Sequence, residues 1–169
     1  MSKNLCYTEL KSPIGPIFIE GTEDAVTGLH LAGHKHWNGL KEGSRPSDAA
    51  FAEVRAQLDQ YFAGDRREFE VSLKLAGTPF QDRVWQALCA IPYGETITYG
   101  ELARRVGVPS ASRAVGAANG RNPVSILVPC HRVVATNGKL TGYGGGLEAK
   151  RWLLDWEGGQ KSLLPRITD

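Results

Sequence analysis

The stretch Leu75-Ala76-Gly77-Thr78-Pro79 separates two parts of the chain whose apolar residues recur with different periods. Residues 5–32 alternate polar and apolar positions between turn-forming clusters at Ser12-Pro13-Ile14-Gly15-Pro16 and Gly21-Thr22-Glu23-Asp24. That alternation predicts a short antiparallel meander. Residues 33–47 hold Gly33, Gly39, Gly43, Ser44 and Pro46 with little apolar pattern, and read as an exposed loop. A helix is predicted from Ser47-Asp48, because Phe51, Val54, Leu58 and Tyr61-Phe62 recur at helical spacing and Gly64 stops them. A strand around 68–75 closes this part.

Beyond the junction the period becomes helical. Thr78 followed by Pro79 supplies an N-cap and a proline at the first helical position. Phe80, Val84, Trp85 and Leu88 then share one side of a helix that ends before Pro92-Tyr93-Gly94. Residues 98–107 form a short helix ending in glycine, Val108-Pro109-Ser110 turns the chain, and 111–119 form a second short helix. Two short helices joined by a tight glycine-containing turn match the helix-turn-helix pattern. The apolar run 124–128 reads as a buried strand leading into Cys130. Residues 147–157 are the final helix, closed by Gly158-Gly159.

Composition narrows the function classes. With 41% hydrophobic and 22% charged residues the chain is globular rather than disordered. No apolar run approaches the roughly 20 residues of a membrane span, and the N-terminus lacks the apolar core of a signal peptide. A cytoplasmic location and no membrane partner are expected. Residues 1–76 carry nine Lys/Arg against eleven Asp/Glu, whereas 77–169 carry eleven against seven. The basic excess therefore lies in the second part, as suits a polyanionic partner there. Cys6, Cys89 and Cys130 are too few and too scattered for a disulfide scaffold or a zinc knuckle.

Cys130 stands out chemically. It follows an apolar run and Pro129, and is flanked by His131 and Arg132, whose charges would lower a thiol pKa and favour the nucleophilic thiolate. Free cysteines are more often small buried hydrophobes. That plainer role suits Cys6 in its strand and Cys89 on its apolar helix better than Cys130, since two titratable neighbours are poor core companions. Glu157, near the end of the last helix, faces the unfavourable end of the helix dipole, and a histidine N–H is its natural partner. A solvated surface glutamate is the equal alternative. The second short helix, Ala111-Ser112-Arg113-Ala114-Val115-Gly116-Ala117-Ala118-Asn119, carries Arg113 as its single long side chain. So slim a surface suits either a groove about 6 Å wide or close packing on another helix. The Gly142-Tyr143-Gly144-Gly145-Gly146 run matches no phosphate-binding pattern and reads as a loop open to close backbone approach. His30, His34 and His36 have no cysteine or carboxylate at ligand spacing and read as solvated residues, with no metal expected.

Taken together, Asn122-Pro123-Val124-Ser125-Ile126-Leu127-Val128-Pro129-Cys130-His131-Arg132-Val133 resembles the active-site signature of the O6-alkylguanine-DNA alkyltransferases. The flanks are similar too, through Thr78-Pro79-Phe80-Gln81, Ile91-Pro92-Tyr93-Gly94-Glu95, Thr98-Tyr99, Ser112-Arg113-Ala114-Val115-Gly116, Thr141-Gly142-Tyr143-Gly144-Gly145-Gly146 and Trp152-Leu153-Leu154 with Glu157-Gly158. The resemblance implies an α/β N-terminal domain over 1–76, an antiparallel sheet plus helix of ribonuclease H-like kind, with a supporting role. It implies a mainly α, winged helix-turn-helix-like domain over 77–169 that binds DNA and transfers the alkyl group.

The activity implied is single-turnover transfer of an alkyl group from guanine O6, and from thymine O4, to Cys130. His131 acts through a water as base, Glu157 orients it, and Asn122 ties the recognition helix to the active-site segment. Tyr99 crowds the target phosphate and Arg113 fills the gap left in the base stack. Ser112, Ala114 and Ala117 belong to the DNA-facing helix. Val133, Tyr143, Gly144 and Gly145 form the substrate pocket, with a backbone contact at Gly144 where some relatives carry serine. No cofactor is needed, because guanine itself leaves. The implied partner is double-stranded DNA bound through its minor groove by a monomer, with room for cooperative binding. A cysteine hydrolase, a helix-turn-helix regulator and an alkylated-DNA-binding protein without transfer activity are the competing readings.

Overall fold

The computed structural model describes residues 4–159 and divides into two compact units. The first runs to Ala76 and also includes Pro123–Leu127; the second comprises Gly77–Asn122 and the chain from Val128 onward.

In the first unit the predicted meander is β1 (Cys6–Leu10), β2 (Ile17–Gly21) and β3 (Val26–Leu31), each antiparallel to the next. Alternate residues Cys6, Thr8 and Leu10 of β1 and Ile17 and Ile19 of β2 are buried, so the period of two seen in the sequence is that of the covered face. A two-residue strand β4 (Arg45–Pro46) pairs parallel with β1, giving the order β3-β2-β1-β4. Residues 33–47 are thus not wholly an exposed loop. His34 is buried and makes an edge contact with His30, which stacks on Trp37 at 5.3 Å. The expectation of solvated histidines fails at these two, because the aromatic faces of Trp37 and of each other exclude water. His36 is exposed.

Helix α1 (Ala52–Ala63) follows a short 3-10 turn over Ala49–Phe51. Asp48 does not cap it, since its Oδ1 accepts the Thr8 hydroxyl at 2.6 Å instead. Val54, Leu58 and Tyr61 are buried, and Gly64 ends the helix at φ 88°, a left-handed conformation that glycine adopts without strain. The strand expected over 68–75 does not form. Gln57 of α1 clasps Glu70 instead, its Oε1 accepting from Glu70 N at 2.8 Å and its Nε2 donating to Glu70 O at 3.0 Å. Beyond that clasp the segment bridges to β3 only between Val26 and Leu73.

The second unit begins at the predicted cap. Thr78 and Gln81 form a reciprocal capping box and Pro79 opens α2 (Pro79–Cys89), which buries Val84, Trp85 and Leu88. Helix α3 (Tyr99–Arg105) is capped by Thr98, and α4 (Ser112–Gly120) follows a turn that includes Gly107 at φ 83°. The strands β5 (Ile97–Thr98) and β6 (Val133–Val134) pair parallel. The last helix, α5 (Leu147–Gly159), contains both Gly158 and Gly159, so these residues do not stop it where the sequence pattern suggested.

The run before Cys130 is buried, as expected, but it is not a strand. Leu29 N donates to Pro123 O and Ser125 N donates to Leu29 O, a single bridge to β3. Two three-residue turns follow. Leu127 N donates to Ser125 O at 2.8 Å around Ile126, which takes φ 73°, a strained value for a β-branched residue. Cys130 N donates to Val128 O at 2.8 Å around Pro129, whose φ −82° and ψ 64° are those of an inverse γ-turn.

Candidate active site

Proline at position 129 accounts for the local geometry. Its ring holds φ in the inverse γ-turn range, and the chain then enters the 3-10 turn Cys130–Arg132. All three residues of that turn are buried: Cys130 is 5% exposed, His131 0% and Arg132 7%. The sequence argument that titratable neighbours keep a cysteine out of the core therefore does not hold. Glu157 supplies the reason. From α5 its Oε2 lies 2.8 Å from His131 Nε2, and it accepts from Arg132 through Nε at 2.8 Å and Nη2 at 3.0 Å. Arg132 Nη1 also donates to Ile91 O at 2.7 Å, and its guanidinium lies over the Tyr93 ring.

The protonation states follow from this arrangement. Burial alone would raise the Glu157 pKa, but His131 and the permanent charge of Arg132 hold it well below the usual carboxylate range. Burial lowers the His131 pKa more than Glu157 raises it, so the imidazole is neutral at pH 7. An ionised Glu157 accepts the Nε2 proton of that neutral ring. Nδ1 is then the free lone pair, and it has no hydrogen-bond partner. His131 is thus a base held in one tautomer.

The thiol behaves otherwise than its neighbours in sequence suggest. Burial pushes Cys130 up to about 11, and the Asn122 hydrogen bond and the Lys150 charge offset this only in part. Arg132 and His131 do not lower it as expected, because both are turned into Glu157. Asn122, buried two residues beyond α4, also donates to Val128 O at 2.7 Å. Its placement between helix and reactive turn is that of a tie.

Lys150 carried no sequence signal and is the main residue missed. It is 0% exposed on α5, and its Nζ donates to Val133 O at 2.6 Å and Thr141 O at 2.9 Å. Burial lowers its pKa to about 8, with Cys130 acting in the opposite sense. The Tyr99 hydroxyl donates to the same Thr141 carbonyl at 3.1 Å. Tyr99 is half-buried and its pKa is raised, chiefly by burial and in part by Cys130. A helix-borne lysine one position after a buried alanine reads as a surface residue, so only the fold reveals it. Arg132 was noticed as a neighbour of Cys130 and not as the counter-ion of Glu157.

The remaining candidates fall into two sets. Arg113, Ala114 and Ala117 are exposed on α4 and Ser112 is half-exposed, while Val115, Ala118 and Asn119 on the other side are buried. Val133 and Tyr143 are buried, and Gly144 and Gly145 are half-buried in the loop before α5. Cys6 is buried but Cys89 is exposed, contrary to its expected role as a small buried hydrophobe; all three thiols are free. Among the described residues no three His, Cys, Asp or Glu side chains converge as metal ligands.

A sheet-and-helix unit and a helical unit carrying a buried Cys-His-Glu arrangement define a two-domain DNA alkyltransferase fold. The ribonuclease-like domain model of 6-O-methylguanine DNA methyltransferase matches residues 5–75, its DNA binding domain model matches 79–159, and the chain belongs to this family. It is 52% identical over 148 residues to the methylated-DNA–protein-cysteine methyltransferase of Mycobacterium leprae, covering 88% of this chain and 89% of that one. The protein of the same name from Methanosarcina acetivorans is 49% identical over 152 residues, covering 90% and 97%. Among solved structures, Mycobacterium tuberculosis OGT in complex with DNA matches with a TM-score of 0.86 at 49% identity, covering 91% of this chain and 93% of that one.

Proposed function

We propose that this chain repairs alkylated guanine in DNA by direct reversal, moving the alkyl group from O6 to Cys130 Sγ once per molecule. The observation that carries this is a buried thiol next in sequence to a buried imidazole whose Nε2 lies against Glu157 and whose Nδ1 has no hydrogen-bond partner. The thiol proton passes through a water to His131 Nδ1, and the thiolate attacks the alkyl carbon in line. The C–S bond forms as the C–O6 bond breaks, its electron pair stays on the purine, and the proton is returned there. The thioether left on Cys130 has no good leaving group, so turnover stops. O4-alkylthymine is a second substrate of the same kind, and no cofactor enters the balance.

The second unit forms the DNA-binding and transfer domain, and the first unit, which includes Pro123–Leu127, supports it. The slim exposed side of α4, with Arg113, Ala114 and Ala117, supports entry into a minor groove about 6 Å wide. Arg113 then occupies the gap left by the flipped nucleotide, Tyr99 crowds its phosphate, and Ser112 lies at the helix start. Val133, Tyr143, Gly144 and Gly145 line the base pocket. Extrusion costs a few kcal/mol and least for a weakened pair, which favours damaged guanine. The protein acts as a monomer, with cooperative binding along DNA open to it. No helix among the described residues is long and apolar enough to cross a membrane, and the proposed compartment is the cytoplasm.

Incubation with an O6-methylguanine duplex should add one methylene to the peptide bearing Cys130 and none to those bearing Cys6 or Cys89. Repeated turnover, or no mass gain with Cys130 intact, rejects the reading. Arg113→Ala should slow duplex repair more than reaction with the free base, since only the duplex requires flipping.

A further inference from the structure

Asn119 is the penultimate residue of α4 and is 1% exposed. Its Nδ2 donates to Cys130 O at 3.3 Å, while its Oδ1 is buried with no hydrogen-bond partner. Three residues on, Asn122 donates to Val128 O at 2.7 Å. The two amides therefore grip the carbonyls on either side of Pro129, and they do so from the end of one helix and two residues beyond it. Trp85 of α2 steadies the same turn of α4, its Nε1 donating to Ala118 O at 2.9 Å.

A half-satisfied buried amide is a poor choice for stability. Desolvating Oδ1 without a partner is unfavourable, and an apolar side chain of similar volume avoids that penalty. What the amide supplies and a leucine does not is a directional tie to one particular carbonyl. That carbonyl belongs to the residue bearing the reactive sulfur, and the opposite side of the helix is the exposed one.

Resting on the reading of α4 as the DNA-facing helix, we propose that Asn119 is a positioning residue that couples the seating of α4 on DNA to the backbone of Cys130. DNA contact on the exposed side fixes the helix, and the amide carries that constraint one residue deep to the turn that aims Sγ. An in-line displacement is sensitive to such aim, because a misplacement of about 1 Å costs on the order of a hundredfold in rate.

Asn119→Leu tests this, with two readouts. In single turnover at saturating DNA, methyl transfer from an O6-methylguanine duplex should slow by roughly ten- to a hundredfold. Reaction with free O6-methylguanine, which does not seat α4, should slow far less. In amide hydrogen exchange, undamaged duplex DNA should slow exchange in both α4 and residues 128–132 of the wild type, but in α4 alone of the variant. Equal slowing on duplex and free base overturns the coupling, as does DNA protection of 128–132 that persists without the amide. If Asn119→Leu folds poorly, Asn119→Ser, too short to reach the Cys130 carbonyl, must show the same selective loss. Wild-type duplex kinetics in a stable Asn119→Ser overturn the proposal. A wild type that shows coupled exchange but no methyl transfer rejects the proposed function and leaves the coupling standing.

Discussion

Glu157, Arg132 and Lys150 keep their charges inside the second unit, whereas His30 and His34 are covered in the first by giving charge up. Around Glu157 the counter-ion is present at 2.8 Å, so an ionised carboxylate survives at 1% exposure and can hold a histidine in one tautomer. Among the described residues no carboxylate pairs with His30. Burial there lowers the pKa to about 4, His34 and Lys41 add to the effect, and the ring packs against Trp37 as a neutral aromatic. The difference separates polar burial that serves chemistry from polar burial that serves packing. Charge is retained where a reaction needs a defined proton position, and it is removed where only shape matters.

The largest expected effect comes from unbalancing the charged cluster. Glu157→Gln leaves Arg132 buried without its counter-ion, which should destabilise the protein by about 3–5 kcal/mol in chemical denaturation. Because Glu157 titrates below an unfolded glutamate, its contribution is complete above the usual value of 4.5 and is lost as pH falls below that. The wild-type advantage over Glu157→Gln should accordingly shrink in acid. A variant as stable as the wild type at pH 7 would break the comparison.

Lys150→Met is expected to act next in size. It leaves the Val133 carbonyl without its donor, a loss of about 1–3 kcal/mol set against the relief of burying an ammonium. It also removes one of the influences that pull the Cys130 pKa down, so iodoacetamide should label Cys130 more slowly at pH 7. Faster labelling would mean that Lys150 does not face the thiolate.

His30→Phe should have the smallest effect at pH 7, because the wild-type ring is already uncharged. Its folded pKa lies below the unfolded 6.5, so the stability due to neutral His30 is full above pH 6.5 and is lost as pH falls toward 4. Denaturation midpoints measured across that window should fall less steeply for the variant. Identical slopes would show that His30 is not the group that titrates.

Much of the site was legible in the residues. The Thr78-Pro79 cap, the two short helices and the Cys130-His131-Arg132 motif are local features, and each appears where the pattern indicated. Glu157 was legible only as an anomaly, a carboxylate at the wrong end of a helix. The misses share a physical cause. The 68–75 segment has strand-like residues but is latched by Gln57 from a helix thirteen positions earlier. Residues 124–128 are apolar except for Ser125 and are all buried, and burial without a period does not distinguish a strand from two tight turns. The sign of the Cys130 shift depends on where its neighbours point, and adjacency in sequence does not reveal that.

What the sequence determined by itself is which residues are available to react and the segments on which they lie, because caps, turns and periodicity act over a few residues. The tertiary structure decided their charge and their aim. Glu157 engages both Arg132 and His131 across 25 and 26 residues of chain, Lys150 reaches the Val133 carbonyl, and Asn119 reaches that of Cys130. Protonation states answer to distances and burial, and those exist only once distant segments have packed together.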